Sequence, residues 1–112
     1  MDRDGFKAWL LKKGDLKPTL VKDAVSRAKR VEDAFRAIDP SFSFEGEYAR
    51  DEGKSFISLI SRRGVTIQSE IDLPIGTNQM DSIASAAKKY MLARLTMPTF
   101  SPGRMPIARQ QT

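Results

Sequence analysis

The sequence predicts a mainly α protein with one small domain, a bundle of three to four helices, leaving open a short β hairpin or extended segment within residues 42–71. Two observations support this fold class. Apolar side chains recur at three- and four-residue steps over two long stretches, which is helical periodicity. A length of 112 residues, with 40% hydrophobic and 29% charged side chains, is typical of one globular domain with a modest core. We assign residues 1–95 to the helical domain and residues 96–112 to a flexible, proline-containing tail.

The first helix is predicted over Asp4–Lys13, because Phe6 and Trp9 fall on one apolar stripe at helical spacing. Gly14 follows at the position where a left-handed residue commonly ends a helix. In this register, we expect Phe6 and Trp9 to pack in the core rather than to serve as exposed anchors for a partner.

The second helix has the clearest periodicity in the chain. Pro18 suits a first helical turn, and Asp39-Pro40 ends the pattern. The apolar positions of this stripe are Leu20, Val21, Ala24, Val25, Ala28, Val31, Phe35 and Ile38. The opposite face is rich in Lys and Arg.

Residues 41–64 fit two interpretations. One is a hairpin of 42–48 against 55–61, and the other is a short helix near 45–50 followed by a second helix over 54–63 that Gly64 closes. The end of the apolar pattern just before Gly64 favours the helices. The alternation over Val65–Ile71 is that of an extended segment.

The last helix is predicted to follow a turn at Leu73–Gly76 and to run from a cap at Thr77 or Asn78 to about Leu95. Its expected buried stripe comprises Met80, Ile83, Ala84, Ala87, Tyr90, Met91 and Leu95. Tyr90 is expected to serve packing.

Residue types exclude several kinds of chemistry. The chain contains no cysteine and no histidine, which excludes Cys/His zinc sites, thiol catalysis and triads with an imidazole base. Gly53-Lys54-Ser55 resembles the end of a phosphate-binding loop but lacks its first glycine. Asp39, Glu52 and Lys54 resemble a nuclease set, but Gly53 suits a turn better than the strand that such a site needs. We therefore expect no enzyme activity, no catalytic residues, no metal and no cofactor.

The predicted location is the cytoplasm, without a membrane partner. No apolar run approaches the roughly 20 residues of a spanning helix, and the N-terminal residues lack a signal-peptide pattern.

Charge is distributed unevenly along the chain, whose net charge is +5. Residues 12–36 carry eight basic and four acidic side chains, a local charge of +4, whereas residues 39–52 carry five acidic side chains and one arginine, a local charge of −4. A basic helix face can bind phosphates. It can equally be a solvated face with i,i+4 ion pairs such as Asp23–Arg27 and Glu32–Arg36.

Several segments carry a family resemblance. They are Gly5-Phe6-Lys7-Ala8-Trp9-Leu10, Gly14, Lys17-Pro18-Thr19-Leu20, Val25-Ser26-Arg27-Ala28-Lys29-Arg30-Val31-Glu32 and Ser85-Ala86-Ala87-Lys88-Lys89-Tyr90-Met91. Their order resembles the N-terminal core-binding (SAM-like) domain of tyrosine recombinases, the phage integrases. In that family the domain grips duplex DNA as one half of a clamp that a separate catalytic domain closes. The family's catalytic histidine has no counterpart here, so we expect a module without the catalytic domain.

The resemblance implies a set of DNA-binding positions, most of them basic. These are Lys17, Thr19, Lys22, Ser26, Arg27, Lys29, Arg30, Lys88 and Lys89. The expected function is a non-catalytic DNA-binding module that contacts the duplex backbone through a basic helix face. The alternative is a small protein-interaction factor of mobile-element origin, such as an inhibitor or adaptor, which binds a partner protein through the acidic and aromatic region 42–60. Arg104 and Arg109 in the proline-containing tail suit entry into a minor groove or docking on a partner, but a plain flexible terminus is the favoured interpretation.

Overall fold

Five α-helices and one turn of 3₁₀ helix form the fold of residues 1–67 and 70–96, the part of the chain that the computed structural model describes. The helices are α1 (Arg3–Lys13), α2 (Pro18–Ile38), α3 (Phe44–Asp51), α4 (Lys54–Ile60) and α5 (Asn78–Thr96), and the 3₁₀ turn is Arg62–Gly64. Within the described ranges no residue belongs to a β-strand. The mainly α fold class is confirmed, and residues 42–63 take the helical alternative instead of the hairpin.

Local capping determines where α1 and α2 begin and end. The Asp2 carboxylate accepts the Gly5 N–H at 2.9 Å, so α1 starts one residue earlier than predicted. Gly14 ends α1 with a φ of +78°, a conformation that glycine adopts without a steric penalty. Pro18 occupies the first turn of α2, as predicted.

The turn between α3 and α4 depends on Gly53. The Ser43 hydroxyl caps α3 by accepting the Gly46 N–H at 3.0 Å. Gly53 then has a φ of +77°, and a Cβ built on it would lie 2.6 Å from the Met91 sulfur. The glycine of the Gly-Lys-Ser tripeptide therefore serves close packing of this turn against α5.

α4 is shorter than the predicted 54–63. It ends at Ile60, after which Arg62, Arg63 and Gly64 have φ angles of +55°, +59° and +74°. Three successive left-handed residues reverse the chain and bring Gly64 into the interior. The expectation that residues 65–71 form an extended alternating segment is wrong for Val65 and Thr66, which lie in a turn.

The core lies where α2 and α5 pack against each other, with α1 on one side and α3 and α4 on the other. The ring of Tyr90 is fully buried and joins three helices, because its centroid lies 5.2 Å from that of Phe6 and 5.3 Å from that of Phe44. Trp9 is also buried. These positions confirm the core assignments of Phe6, Trp9 and Tyr90.

Three members of the predicted apolar stripes are exposed. Leu20, Ile38 and Leu95 expose 44%, 45% and 52% of their surface. Each lies in the first or last turn of its helix, where fewer neighbouring side chains are within reach. Helical periodicity identifies the correct face but does not reveal where the neighbouring helix stops.

Glu32 is a fully buried carboxylate on the apolar side of α2. Its two oxygens accept hydrogen bonds from the N-terminal ammonium group at 2.9 and 3.0 Å, and Oε2 also accepts the Phe44 N–H at 3.0 Å. Arg36 Nη2 lies 3.4 Å away. Burial raises the pKa of this carboxyl, but the Phe44 N–H, the N-terminal ammonium group and Arg36 outweigh it, so the net pKa is below its usual value. The carboxylate therefore ties the start of the chain and α3 to α2.

Across residues 1–67 and 70–96, no helix has both the length and the apolar character that crossing a bilayer requires. The prediction of a tail over residues 96–112 lies outside the described residues, apart from Thr96, which belongs to the last turn of α5. The suggestions for Arg104 and Arg109 lie outside them as well.

Candidate nucleic-acid interface

Most of the predicted DNA-binding residues lie on one side of α2. This surface, the α2 outer face, consists of Thr19, Lys22, Ser26, Arg27, Lys29 and Arg30. All six are exposed except Lys29, which is half-buried. The opposite side of the helix, including Ala28 and Val31, is buried against the core. α2 is therefore amphipathic, and its solvent side carries most of its cations.

Arg27 and Lys89 lie on opposite walls of a groove between α2 and α5, here called the α2–α5 groove. Its volume is about 320 Å³. The acid that lines it, Asp81, is already paired with Arg63 at 3.1 Å. Among the described residues, neither Arg27 nor Lys89 has an ion-pair partner within 4.0 Å, and so two cations on this groove remain available to an anion.

The rest of the α2 outer face is more nearly neutral. Lys29 Nζ lies 2.9 Å from an Asp33 oxygen and 3.5 Å from Glu32. Arg30 and Lys29 line a shallow concavity of about 420 Å³ together with Arg3 from α1, and the acids Asp33 and Asp72 line it as well. Within the described part of the chain, Arg30 forms no ion pair. Lys29 is thus ion-paired within its own helix, whereas Arg30 has no such pair in the described structure.

The alternative of a solvated face with internal ion pairs holds for only one half of α2. Glu32 and Arg36 are in contact at 3.4 Å, but Glu32 is fully buried, so this pair is not part of a solvated face. The i,i+4 pair on the solvated face is Lys29 with Asp33 at 2.9 Å. Asp23 and Arg27, by contrast, form no ion pair in the described structure. The ion pairs of α2 are therefore concentrated in its C-terminal half, and the cations of its N-terminal half, Lys22 among them, remain unpaired there.

The remaining predicted positions are dispersed. Lys17 is exposed at the N-cap of α2. Lys88 and Lys89 are neighbours on α5, so their side chains point about 100° apart. Lys89 lines the α2–α5 groove, whereas the exposed Lys88 is not among the described residues that line it. The structure brings Lys89 to the α2 outer face and leaves Lys88 away from it.

Sequence reasoning missed Arg3 and Leu16 as contributors to this surface. Arg3 of α1 adds a cation beside Arg30, although it is distant in sequence. Leu16 and the half-exposed Leu20 line the α2–α5 groove and make its floor partly apolar. The signal that could have found Leu16 is an apolar residue in an otherwise polar connector.

The residues that the sequence suggested for a metal site, a nuclease site or a protein-binding region have the following places in the structure. No cluster of three acidic side chains suited to a metal ion occurs in residues 1–67 and 70–96. Glu52 and Lys54 form an exposed pair at 3.6 Å. In the acidic and aromatic region 42–60, Phe44 and Phe56 are buried in the core. The exposed charged residues of that region are Arg50, Glu52 and Lys54, whereas Glu45, Glu47 and Asp51 are half-buried.

Comparison of the chain with protein families, with curated proteins and with solved structures finds no match.

Proposed function

We propose that this protein is a non-enzymatic, cytoplasmic DNA-binding module of the core-binding kind, which contacts the duplex backbone through the α2 outer face. The observation that carries the proposal is the set of unneutralised cations described above. Arg27 and Arg30 are exposed on α2, and Lys89 stands across the groove from Arg27. The residue pattern that resembles recombinase core-binding domains supports the same surface.

The composition of α2 favours backbone contacts over base reading. Phosphates are bound by clusters of cations whose association releases counterions. Sequence is read chiefly by Arg, Asn and Gln side chains that form paired hydrogen bonds to base edges. α2 contains neither Asn nor Gln, and Arg27 and Arg30 are its only exposed arginines, so its contacts are expected to position the protein rather than to select a sequence. The acidic stretch 39–52 would keep the C-terminal end of α2 away from the DNA.

The test is a titration of the full chain into labelled random duplex DNA, followed by fluorescence anisotropy at two salt concentrations. With four to six phosphate contacts, the affinity should fall by roughly 10²–10³ between about 50 and about 200 mM salt. Absence of binding at the lower salt concentration would refute the proposal.

A matched pair of variants locates the interface. Arg27→Glu/Arg30→Glu reverses two cations that make no ion pair in the described structure. Lys12→Glu/Lys54→Glu changes the net charge by the same amount at exposed positions on α1 and α4. The first variant should lose at least about tenfold in affinity at low salt, and the second far less. Equal losses would show that net charge, rather than the α2 outer face, governs binding.

A further inference from the structure

An open apolar groove lies at the other end of α2, where that helix meets α3, α4 and the segment that follows them. Its volume is about 440 Å³. The apolar side chains that line it are Phe35, Ile38, Phe42, Phe56, Leu59 and Ile67. Ile38, at the last position of α2, exposes 45% of its surface. The groove thus presents several apolar side chains to solvent.

Acidic side chains form the rim of this groove. Asp39 and Glu47 both line it. The Asp39 carboxylate accepts the Ser41 hydroxyl at 2.7 Å and the Ser41 N–H at 3.1 Å, and these bonds lower its pKa and keep it ionised. Glu47 is paired with Arg50, which also lines the groove and whose side chain is 61% exposed, so a cation of a partner would have to replace Arg50 at Glu47. We call this surface the acid-rimmed groove.

The charge around the groove selects its occupant. Residues 39–52 carry a net charge of −4 in a chain whose total is +5. Glu45, Glu47 and Glu52 are paired with Arg94, Arg50 and Lys54, whereas Asp39 has no ion-pair partner in the described structure, which leaves a negative charge at the rim. Nucleic acids and anionic membranes are repelled by that sign. On a second copy of this chain, the α2 outer face has polar side chains such as Ser26 between its cations, and the one leucine of that helix, Leu20, is exposed at its start.

We propose that the acid-rimmed groove binds a basic amphipathic helix of a partner protein. Apolar side chains at i, i+3 or i+4 and i+7 of that helix would fill the groove between Ile38 and Leu59. Its Lys or Arg side chains would pair with Asp39 and Glu47 at the rim. The site shares no residue with the α2 outer face, so it is independent of the proposed DNA binding.

The probe is a synthetic helical peptide of about four turns, with leucines on one face and lysines elsewhere. Amide chemical shifts of the isotopically labelled full chain are followed as the peptide is added. Binding should shift the amides of Phe35, Ile38 and Ile67. A peptide of the same composition with its leucines spread around the helix, and one with glutamate in place of lysine, should each bind at least about tenfold more weakly.

Two variants of equal exposure and equal charge change sharpen the test. Ile38 and Leu20 expose 45% and 44% of their surface at opposite ends of the same helix. Ile38→Lys puts a cation into the groove at a helix C-terminus, where a positive charge is tolerated. It should weaken peptide binding at least about tenfold, whereas Leu20→Lys should leave it unchanged.

Several results would overturn the proposal. They are equal loss in both variants, shifts centred away from the groove, and equal binding of the peptide with dispersed leucines. A further one is a rise in peptide affinity after residues 97–112 are removed, which would identify the chain's own terminal segment as the occupant. DNA titration of Ile38→Lys distinguishes the two sites. Loss of peptide binding with unchanged DNA affinity would show that the substitution affects the acid-rimmed groove alone.

Discussion

Replacement of Glu32 by glutamine should reveal how strongly its buried carboxylate holds the bundle together. Glutamine preserves the size of the side chain and an acceptor for the Phe44 N–H, but it removes the negative charge from between the N-terminal ammonium group and Arg36. Breaking a buried ion pair costs about 3–5 kcal/mol. At least the lower figure applies here. The N-terminal ammonium group is fully buried and would lose its partner there, whereas Arg36, which is 41% exposed, and Lys29, which is 30% exposed, regain water. We therefore expect Glu32→Gln to lose at least about 3 kcal/mol of unfolding free energy.

Urea unfolding followed by circular dichroism measures this loss, provided that the slope of free energy against urea stays constant. The matched control is Glu47→Gln, which breaks an ion pair with the largely exposed Arg50 and should cost at most about 1 kcal/mol. If the unfolding free energies of the two variants differ by less than about 0.5 kcal/mol, the ion pairs of Glu32 do not stabilise the fold as argued.

Acid titration supplies a second, independent readout of the same carboxylate. Folding lowers the pKa of Glu32 from its usual value of 4.5. Its stabilising contribution is therefore complete above that value and disappears as the pH falls through the lower, folded pKa. The difference in stability between the wild type and Glu32→Gln should be largest near neutral pH and should shrink below about pH 4.5. A difference that is constant from pH 7 down to pH 3 would refute the ionic explanation.

Two further predictions concern backbone conformation, and both are measured by the same urea unfolding. Arg62→Gly should stabilise the protein by about 1 kcal/mol, because Arg62 has a φ of +55° that only glycine adopts without strain; a loss of stability would show that the arginine side chain makes a stabilising contact. Gly53→Ala should cost more than about 2 kcal/mol, since the added Cβ meets the Met91 sulfur as well as an unfavourable φ. Gly14→Ala, with no atom within 4 Å of its Cβ, should cost only about 1 kcal/mol of backbone strain. Equal losses at the two glycines would exclude close packing as the reason for Gly53.

Local rules predicted the long helices well. The boundaries of α2 follow from Pro18 at its start and Asp39-Pro40 after its end, since both proline effects act within one or two residues. Gly14 marked the end of α1 for a similarly local reason. Residues 42–63 stayed open between hairpin and helices because a short apolar run fits either period. Packing of Phe44 and Phe56 against α2 and α5 decided in favour of the helices.

The candidate interface was predictable in part. The cations of α2 could be assigned to one face by counting residues. Which of these cations lack an ion-pair partner could not be predicted. Lys29 pairs with Asp33, whereas Arg27 does not pair with Asp23 in the described structure, although the two residues are four positions apart in both cases. Arg3 and Lys89 join this surface through the packing of α1 and α5 on α2.

The sequence by itself determined the helical fold class, the ends of α1 and α2 and the separation of basic from acidic stretches, because periodicity, capping and charge are properties of neighbouring residues. Tertiary structure decided which polar groups are buried and which apolar groups are exposed. Glu32 is satisfied by the chain terminus 31 residues away and by Phe44, 12 residues away. Ile38 is left at the mouth of the acid-rimmed groove, although it continues the buried stripe. Such outcomes depend on which distant segments pack against a helix, and a single helix does not encode them.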